Sequence, residues 1–166
     1  MPDTTSVLFL CTANSARSIL AEAILNRLGE GRFIAFSAGS RPRGEVNPDA
    51  LACLRRKGHD VAGLSSKGWE VFAGADAPKM DLIVTVCDTA AGEACPIWPG
   101  HPLQVHWGIP DPAGADGAEG GEAAFDLAYG RLDRRIRAFL EIAAHAGDLG
   151  EPAIKRALQA IGEMED

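Results

Sequence analysis

Apolar residues along this chain switch repeatedly between two rhythms. The run SVLFLC (residues 6–11) is continuously apolar up to its cysteine, as expected of a short strand buried on both faces of a parallel sheet. From Ser18 the period changes. Leu20, Ile24 and Leu28 recur every four residues, Ile19 and Ala23 widen the stripe, and Gly29 marks a helix stop. FIAFSAG (residues 33–39) predicts a second strand. NPDALACLRRKG (residues 47–58) predicts a helix with Asn47 as its cap, Pro48 in the first position and Gly58 as terminator. SKGWEVF reads as a short helix, MDLIVTVC as a third strand and LQVHW as a fourth. Residues 121–146 predict a long helix with Phe125, Ala128, Leu132, Ile136, Phe139 and Leu140 on one face. Its other face (Asp126, Arg131, Arg134, Arg137, Glu141) reads as solvated.

Strands alternating with helices predict an α/β three-layer sandwich around a central, mainly parallel four-stranded sheet. Residues 1–146 read as the domain and residues 147–166 as a C-terminal helical extension. In that extension Ile154, Leu158 and Ile161 have helical spacing, but the segment is too short to stand alone. ADGAEGGEAA (residues 115–124) reads as a mobile linker of small residues. Sites in such sheets lie at the carboxyl ends of the strands. Cys11 and Cys87 each end a strand, so both thiols are expected at one edge.

Charge narrows the candidate partners. With a formal net charge of −7, the chain offers no surface for nucleic acid or an anionic membrane, and any bound anion needs a local site. No apolar run approaches the ~20 residues of a membrane span. The start MPDTTSVLFLC lacks the basic region and cleavage site of a signal peptide. The expectation is a soluble, cytoplasmic protein. In that compartment the four cysteines (Cys11, Cys53, Cys87, Cys95) are buried, metal-bound or catalytic rather than a disulfide framework. Cys53, flanked by Ala52 and Leu54 on a helix, reads as core.

The loop after the first strand, Thr12, Ala13, Asn14, Ser15 and Ala16, is small and polar and leads straight into a helix. Such a loop lets consecutive backbone N–H groups form an anion nest, and the helix dipole favours negative charge there. A cysteine at that place is stabilised as thiolate. Arg17 can give two parallel hydrogen bonds to a tetrahedral oxyanion. Cys11 and Arg17 therefore describe a nucleophile and a clamp around a phosphate-sized anion, against the plainer alternative of a strand-end cysteine beside a surface arginine. The ATP-type phosphate loop is absent.

The stretch VLFLCTANSARSILAEAIL resembles the N-terminal signature of the low-molecular-weight phosphatase superfamily. SAGS, VNP, LIVTVCD, CPIWPG and HWGIPDPAG are similar, more narrowly, to its arsenate reductase branch. The resemblance runs in unbroken order over roughly residues 6–145. It implies that Cys11 is the nucleophile, Arg17 the clamp, Ser18 the hydroxyl that helps hold the thiolate, and Asp111 the general acid. Residues Thr12 to Arg17 would bind the substrate. Arsenate would be that substrate, with phosphate and sulfate as competing oxyanions. A reductase must draw two electrons from the protein, hence a second thiol, and usually a third to export the disulfide. By the resemblance, Cys87 and Cys95 would fill those roles in a relay recycled by thioredoxin, or alternatively by glutaredoxin with glutathione, with no tightly bound cofactor and no metal expected.

Two rivals stay open from the residues. One is a tyrosine phosphatase, disfavoured by Ala113 where aromatic residues commonly follow the Asp-Pro. The other is an oxyanion- or zinc-binding redox sensor using Cys87, Cys95, His101 and His106, although seven residues between the cysteines exceed the usual zinc spacing. The sequence also departs from the resemblance. Ala13 stands where glycine is common, and would be strained if that position needs φ > 0. Ala16 stands where a further cysteine often occurs. Asn14, Glu22 and Ser37 match the cation site of potassium-binding relatives, but Lys67 replaces their shared aspartate. Its ammonium either takes the cation's place or is solvated.

Overall fold

A computed structural model describes residues 4–74, 76–86, 102–109, 112, 122–145 and 152–164. Cys87, Cys95, His101, Asp111, Ala113 and most of the 115–124 linker lie outside them. The order is β1 (Thr5–Leu10), α1 (Arg17–Leu28), β2 (Phe33–Ala38), α2 (Pro48–Arg56), a 3-10 turn (Trp69–Phe72), β3 (Leu82–Thr85), β4 (Leu103–His106), α3 (Glu122–His145) and α4 (Pro152–Ile161). The four strands form one sheet in the order β2-β1-β3-β4, and every pairing is parallel.

Register sets the functional edge. Leu10 pairs with Ala38 on one side and with Thr85 on the other, and Thr85 pairs with His106. All four strands therefore end at one level, and the segments that leave them emerge side by side. Alternation of side chains across the sheet divides the core. Val7, Phe9, Leu82, Val84 and Val105 pack with α1, α2, α3 and α4, whereas Leu8, Leu10 and Ile83 pack with Phe72 and Met80.

Local chemistry explains the helix boundaries. The Asn47 side chain accepts from the Asp49 N–H at 2.8 Å and Pro48 occupies the first turn, so α2 begins as its sequence predicts. The polar face of α3 is not wholly solvated as expected: Asp126 Oδ1 meets Arg56 Nη2 at 2.7 Å, an ion pair that ties α3 to α2. Alone, α4 would be too short to persist. It gains stability by burying Leu158 and Ile161 in the main core. Among the described residues, no helix is long and apolar enough to cross a membrane.

Candidate active site

β1 delivers Cys11 to the centre of the carboxyl edge. The Cys11 N–H donates to Ala38 O at 3.2 Å, and the Val86 N–H donates to Leu10 O at 2.9 Å. Val86, the residue before Cys87, thus lies beside the start of the loop. Cys11 itself is buried, at 4% exposure.

Neighbouring segments hold the carbonyls of the 12–16 loop. Thr12 O accepts from the Arg41 N–H at 2.9 Å, Ala13 O from the Arg43 N–H at 3.0 Å, and Ser15 O from the Asn47 N–H at 2.8 Å. Ser66 Oγ also donates to Ala13 O, at 3.2 Å. A trans peptide points its C=O and N–H in opposite directions. The N–H groups of Ala13, Asn14 and Ala16 therefore face away from those partners, as an anion nest requires. Ala16 caps α1 without a side-chain hydrogen bond to the helix. The first-turn amides of a helix have no partner within the helix itself.

The left-handed position in the loop is Asn14, at φ +45°, and not Ala13. Asparagine tolerates that region better than most residues, so Ala13 brings no such strain. Asn14 is fully buried, and its side chain makes one local and one long-range hydrogen bond. Its Oδ1 accepts the Lys67 N–H at 2.8 Å, and its Nδ2 donates to Ser18 Oγ at 2.8 Å. Because Ser18 spends an acceptor site on Asn14, its own proton remains to be donated elsewhere.

Arg17 opens α1, and its Nη1 donates to Ile109 O at 3.0 Å. That bond joins the loop to the segment leading into Pro110 and Asp111. Gly39, in the SAGS motif, explains itself sterically: a Cβ there would overlap the carbonyl oxygens of Cys11 and Thr12. Only hydrogen fits between β2's end and the loop.

Beneath the loop, Ser37 Oγ donates to Glu22 Oε1 at 2.5 Å. Burial raises the Glu22 carboxyl above its usual range, opposed by the Ser37 hydrogen bond and the Lys67 charge. Burial lowers Lys67, opposed by Glu22. The Lys67 ammonium donates to Ser65 O at 2.6 Å, so it is the lysine's main chain, and not its charge, that contacts Asn14. Cys53 is core, as expected. It is fully buried, and burial pushes its thiol up to about 11, with Asp126 beside it adding to the shift.

The structure thus gathers Cys11, Thr12 to Ala16, Arg17 and Ser18 into one site. Of the zinc alternative only His106 is described, and its Nδ1 lies 2.7 Å from Thr85 Oγ1. Sequence reasoning missed the bracing by Arg41, Arg43, Ser66 and Ile109, which is made by main-chain groups or distant segments and leaves no motif.

The chain matches the low molecular weight phosphotyrosine protein phosphatase family over residues 6–149. It is 36% identical to an arsenate reductase of Brevibacillus brevis over 141 residues, 85% of this chain and 98% of that protein. A solved arsenate reductase in the phosphate binding state superposes with a TM-score of 0.68 at 27% identity, covering 83% of this chain and 98% of that one. A Corynebacterium glutamicum structure, described as a thioredoxin-dependent arsenate reductase, shares the fold with a TM-score of 0.61 at 24% identity, covering 84% of this chain and 61% of that one.

Proposed function

This chain belongs to the low molecular weight phosphotyrosine protein phosphatase family, and within it we propose that the protein reduces arsenate to arsenite. The observation that carries this reading is the Cys11–Arg17 loop at the carboxyl edge, joined in the same chain by Cys87 one residue beyond Val86 and by Cys95. A phosphatase would need only the one thiol, with neither Cys87 nor Cys95.

The chemistry follows from those groups. Arsenate sits on the loop amides and the Arg17 guanidinium, which neutralise its charge. The Cys11 thiolate attacks arsenic, Asp111 protonates the departing oxygen, and water leaves. Ser18, its acceptor side engaged by Asn14, directs its proton to the Cys11 sulfur and favours thiolate over thiol. The Cys87 thiolate then attacks Cys11 Sγ. The electron pair of the sulfur–arsenic bond passes to arsenic, which falls from the +5 to the +3 state and leaves as arsenite. A Cys11–Cys87 disulfide remains. Cys95 attacks Cys87, releasing Cys11 as thiolate, and an external dithiol reduces the Cys87–Cys95 bond. Thioredoxin is the proposed donor, with glutaredoxin and glutathione as the alternative. Detoxification of arsenate in a reducing, cytoplasmic compartment suits these thiols.

The deciding experiment follows NADPH oxidation and arsenite release with thioredoxin and thioredoxin reductase. Arsenite formed in proportion to NADPH is expected. Arsenite absent, with aryl phosphate hydrolysed efficiently, would move the protein to the phosphatases. Neither activity, with stoichiometric oxyanion or zinc binding, would make it a sensor.

A further inference from the structure

The family match ends at residue 149, yet α4 beyond it is built into the core at a telling place. Leu158 O accepts the indole N–H of Trp107 at 2.9 Å, a buried bond across the molecule. Trp107 is fully buried, its ring 6.3 Å from that of Phe9 and 6.0 Å from that of Phe139. At the end of α4, Gly162 lies so close to the chain that a Cβ would overlap His106 O and sit 3.3 Å from the Trp107 Cα. The buried Arg135 of α3 donates to Met164 O at 3.1 Å and fastens the last described residue.

Trp107 begins the short segment that reaches the active site. Its N–H donates to Thr85 O at 2.8 Å, and two residues on the Ile109 N–H donates to Val86 O at 3.2 Å. The carbonyl of that same Ile109 takes the Arg17 guanidinium. A continuous set of contacts therefore runs from α4 through Trp107 and Ile109 to the oxyanion clamp.

We propose that the C-terminal extension is a positioning element of the oxyanion site. It fixes the 106–109 segment from behind, and that segment sets where the Arg17 guanidinium stands. Trp107 and Gly162 are positioning residues and touch no substrate. The proposal rests on the reading of the loop as an oxyanion site, though not on reductase chemistry.

The test measures phosphate affinity as protection of Cys11 from iodoacetamide, read on the Cys11 peptide by mass spectrometry, alongside thermal melting. Trp107→Phe keeps an aromatic ring but removes the indole donor together with part of the buried ring volume, a stability cost that the Leu54→Ala comparison accounts for. Gly162→Ala introduces the overlap with His106 O. Leu54→Ala, in the core side of α2, serves as a variant that lowers stability without touching the 106–109 segment. Both positioning variants should weaken phosphate about tenfold, within the ~10²-fold that a 1 Å misplacement can cost. Arsenate KM should rise in parallel while kcat changes less. Leu54→Ala should melt earlier and bind phosphate as the unaltered protein does. Unchanged phosphate affinity in Trp107→Phe overturns the proposal, even if Gly162→Ala fails to fold. So does an equal loss of affinity in Leu54→Ala, which would mean that affinity merely follows stability. Because the readout needs no arsenite, a failure of the reductase reading leaves the result interpretable.

Discussion

Asn14 and Lys67 are joined by a side-chain oxygen and a main-chain amide, 2.8 Å apart, and the lysine's charge takes no part in the bond. Replacing either residue should therefore have different consequences. Asn14→Ala leaves the part-buried Lys67 N–H without its acceptor and puts alanine at φ +45°, the two together costing about 1–3 kcal/mol. Lys67→Ala keeps the N–H and should cost no more than about 1 kcal/mol, the scale of a partly solvated charge. With an ammonium tethered near Glu22, potassium should change neither melting temperature nor arsenate KM relative to sodium at equal ionic strength. Denaturant unfolding of both variants, and melting in the two salts, check this. A marked stabilisation by potassium would return the position to a cation site.

Gly39→Ala should damage the loop from outside it. Its Cβ would overlap backbone oxygens of Cys11 and Thr12, which cannot rotate aside. Overpacking of this kind costs about 1–3 kcal/mol, and here the strain falls on the peptide of Cys11, the proposed nucleophile. Both melting temperature and kcat/KM should fall. A variant as active as its parent would show that the loop has slack.

Glu22 predicts a pH dependence of stability with a definite sign. Burial raises its folded pKa above the ordinary 4.5, so between those values the folded state binds more protons than the unfolded chain. Stability should fall as pH climbs from 4.5 through the raised pKa, then level off. Glu22→Gln should abolish that falling segment. Ser37→Ala, which removes a hydrogen bond that favours the carboxylate, should move the segment to higher pH. Urea unfolding at a series of pH values reads all three.

For the relay, Cys95→Ser should allow one turnover and then accumulate a Cys11–Cys87 disulfide. Cys87→Ser should hold arsenate on Cys11 and form no disulfide-linked product. Peptide mapping after a single arsenate addition separates these outcomes. Turnover of Cys95→Ser at the parental rate with thioredoxin would remove the third thiol from the scheme.

The loop should also hydrolyse an activated aryl phosphate slowly, using Cys11, Arg17 and Asp111 but neither Cys87 nor Cys95. General acid assistance is worth ~10²–10⁴-fold, and Asp111→Asn should lose about that much. Full retention would falsify the assignment of the acid.

Elements whose signal is local were legible in the chain. The strand–loop–helix around Cys11 was readable from apolar period and small residues, and the α2 cap from Asn47 and Pro48. Elements made by distant packing were not. The Asp126–Arg56 pair joins residues on two helices, so a helical wheel showed only a polar face. Asn14 could be placed in the loop, but its left-handed φ depends on Lys67 and Ser18 as partners. Likewise α4 shows apolar spacing in the sequence, while the groove that stabilises it is built by β4 and α3. The four-stranded parallel sheet was expected, and its register, which levels Leu10, Ala38, Thr85 and His106, needed the structure.

Cys53 gives the molecule a form of insulation. With burial pushing its thiol up to about 11, Cys53 stays protonated at neutral pH. A protein that passes disulfides between its own cysteines is exposed to misrouting, since any nucleophilic sulfur can intercept the bond. Buried against Phe125 and Asp126, Cys53 lacks both the charge and the access to do so. In the proposed relay, oxidising equivalents generated at Cys11 would therefore have no side branch into α2, and the helix core would stay reduced while the edge of the sheet cycles.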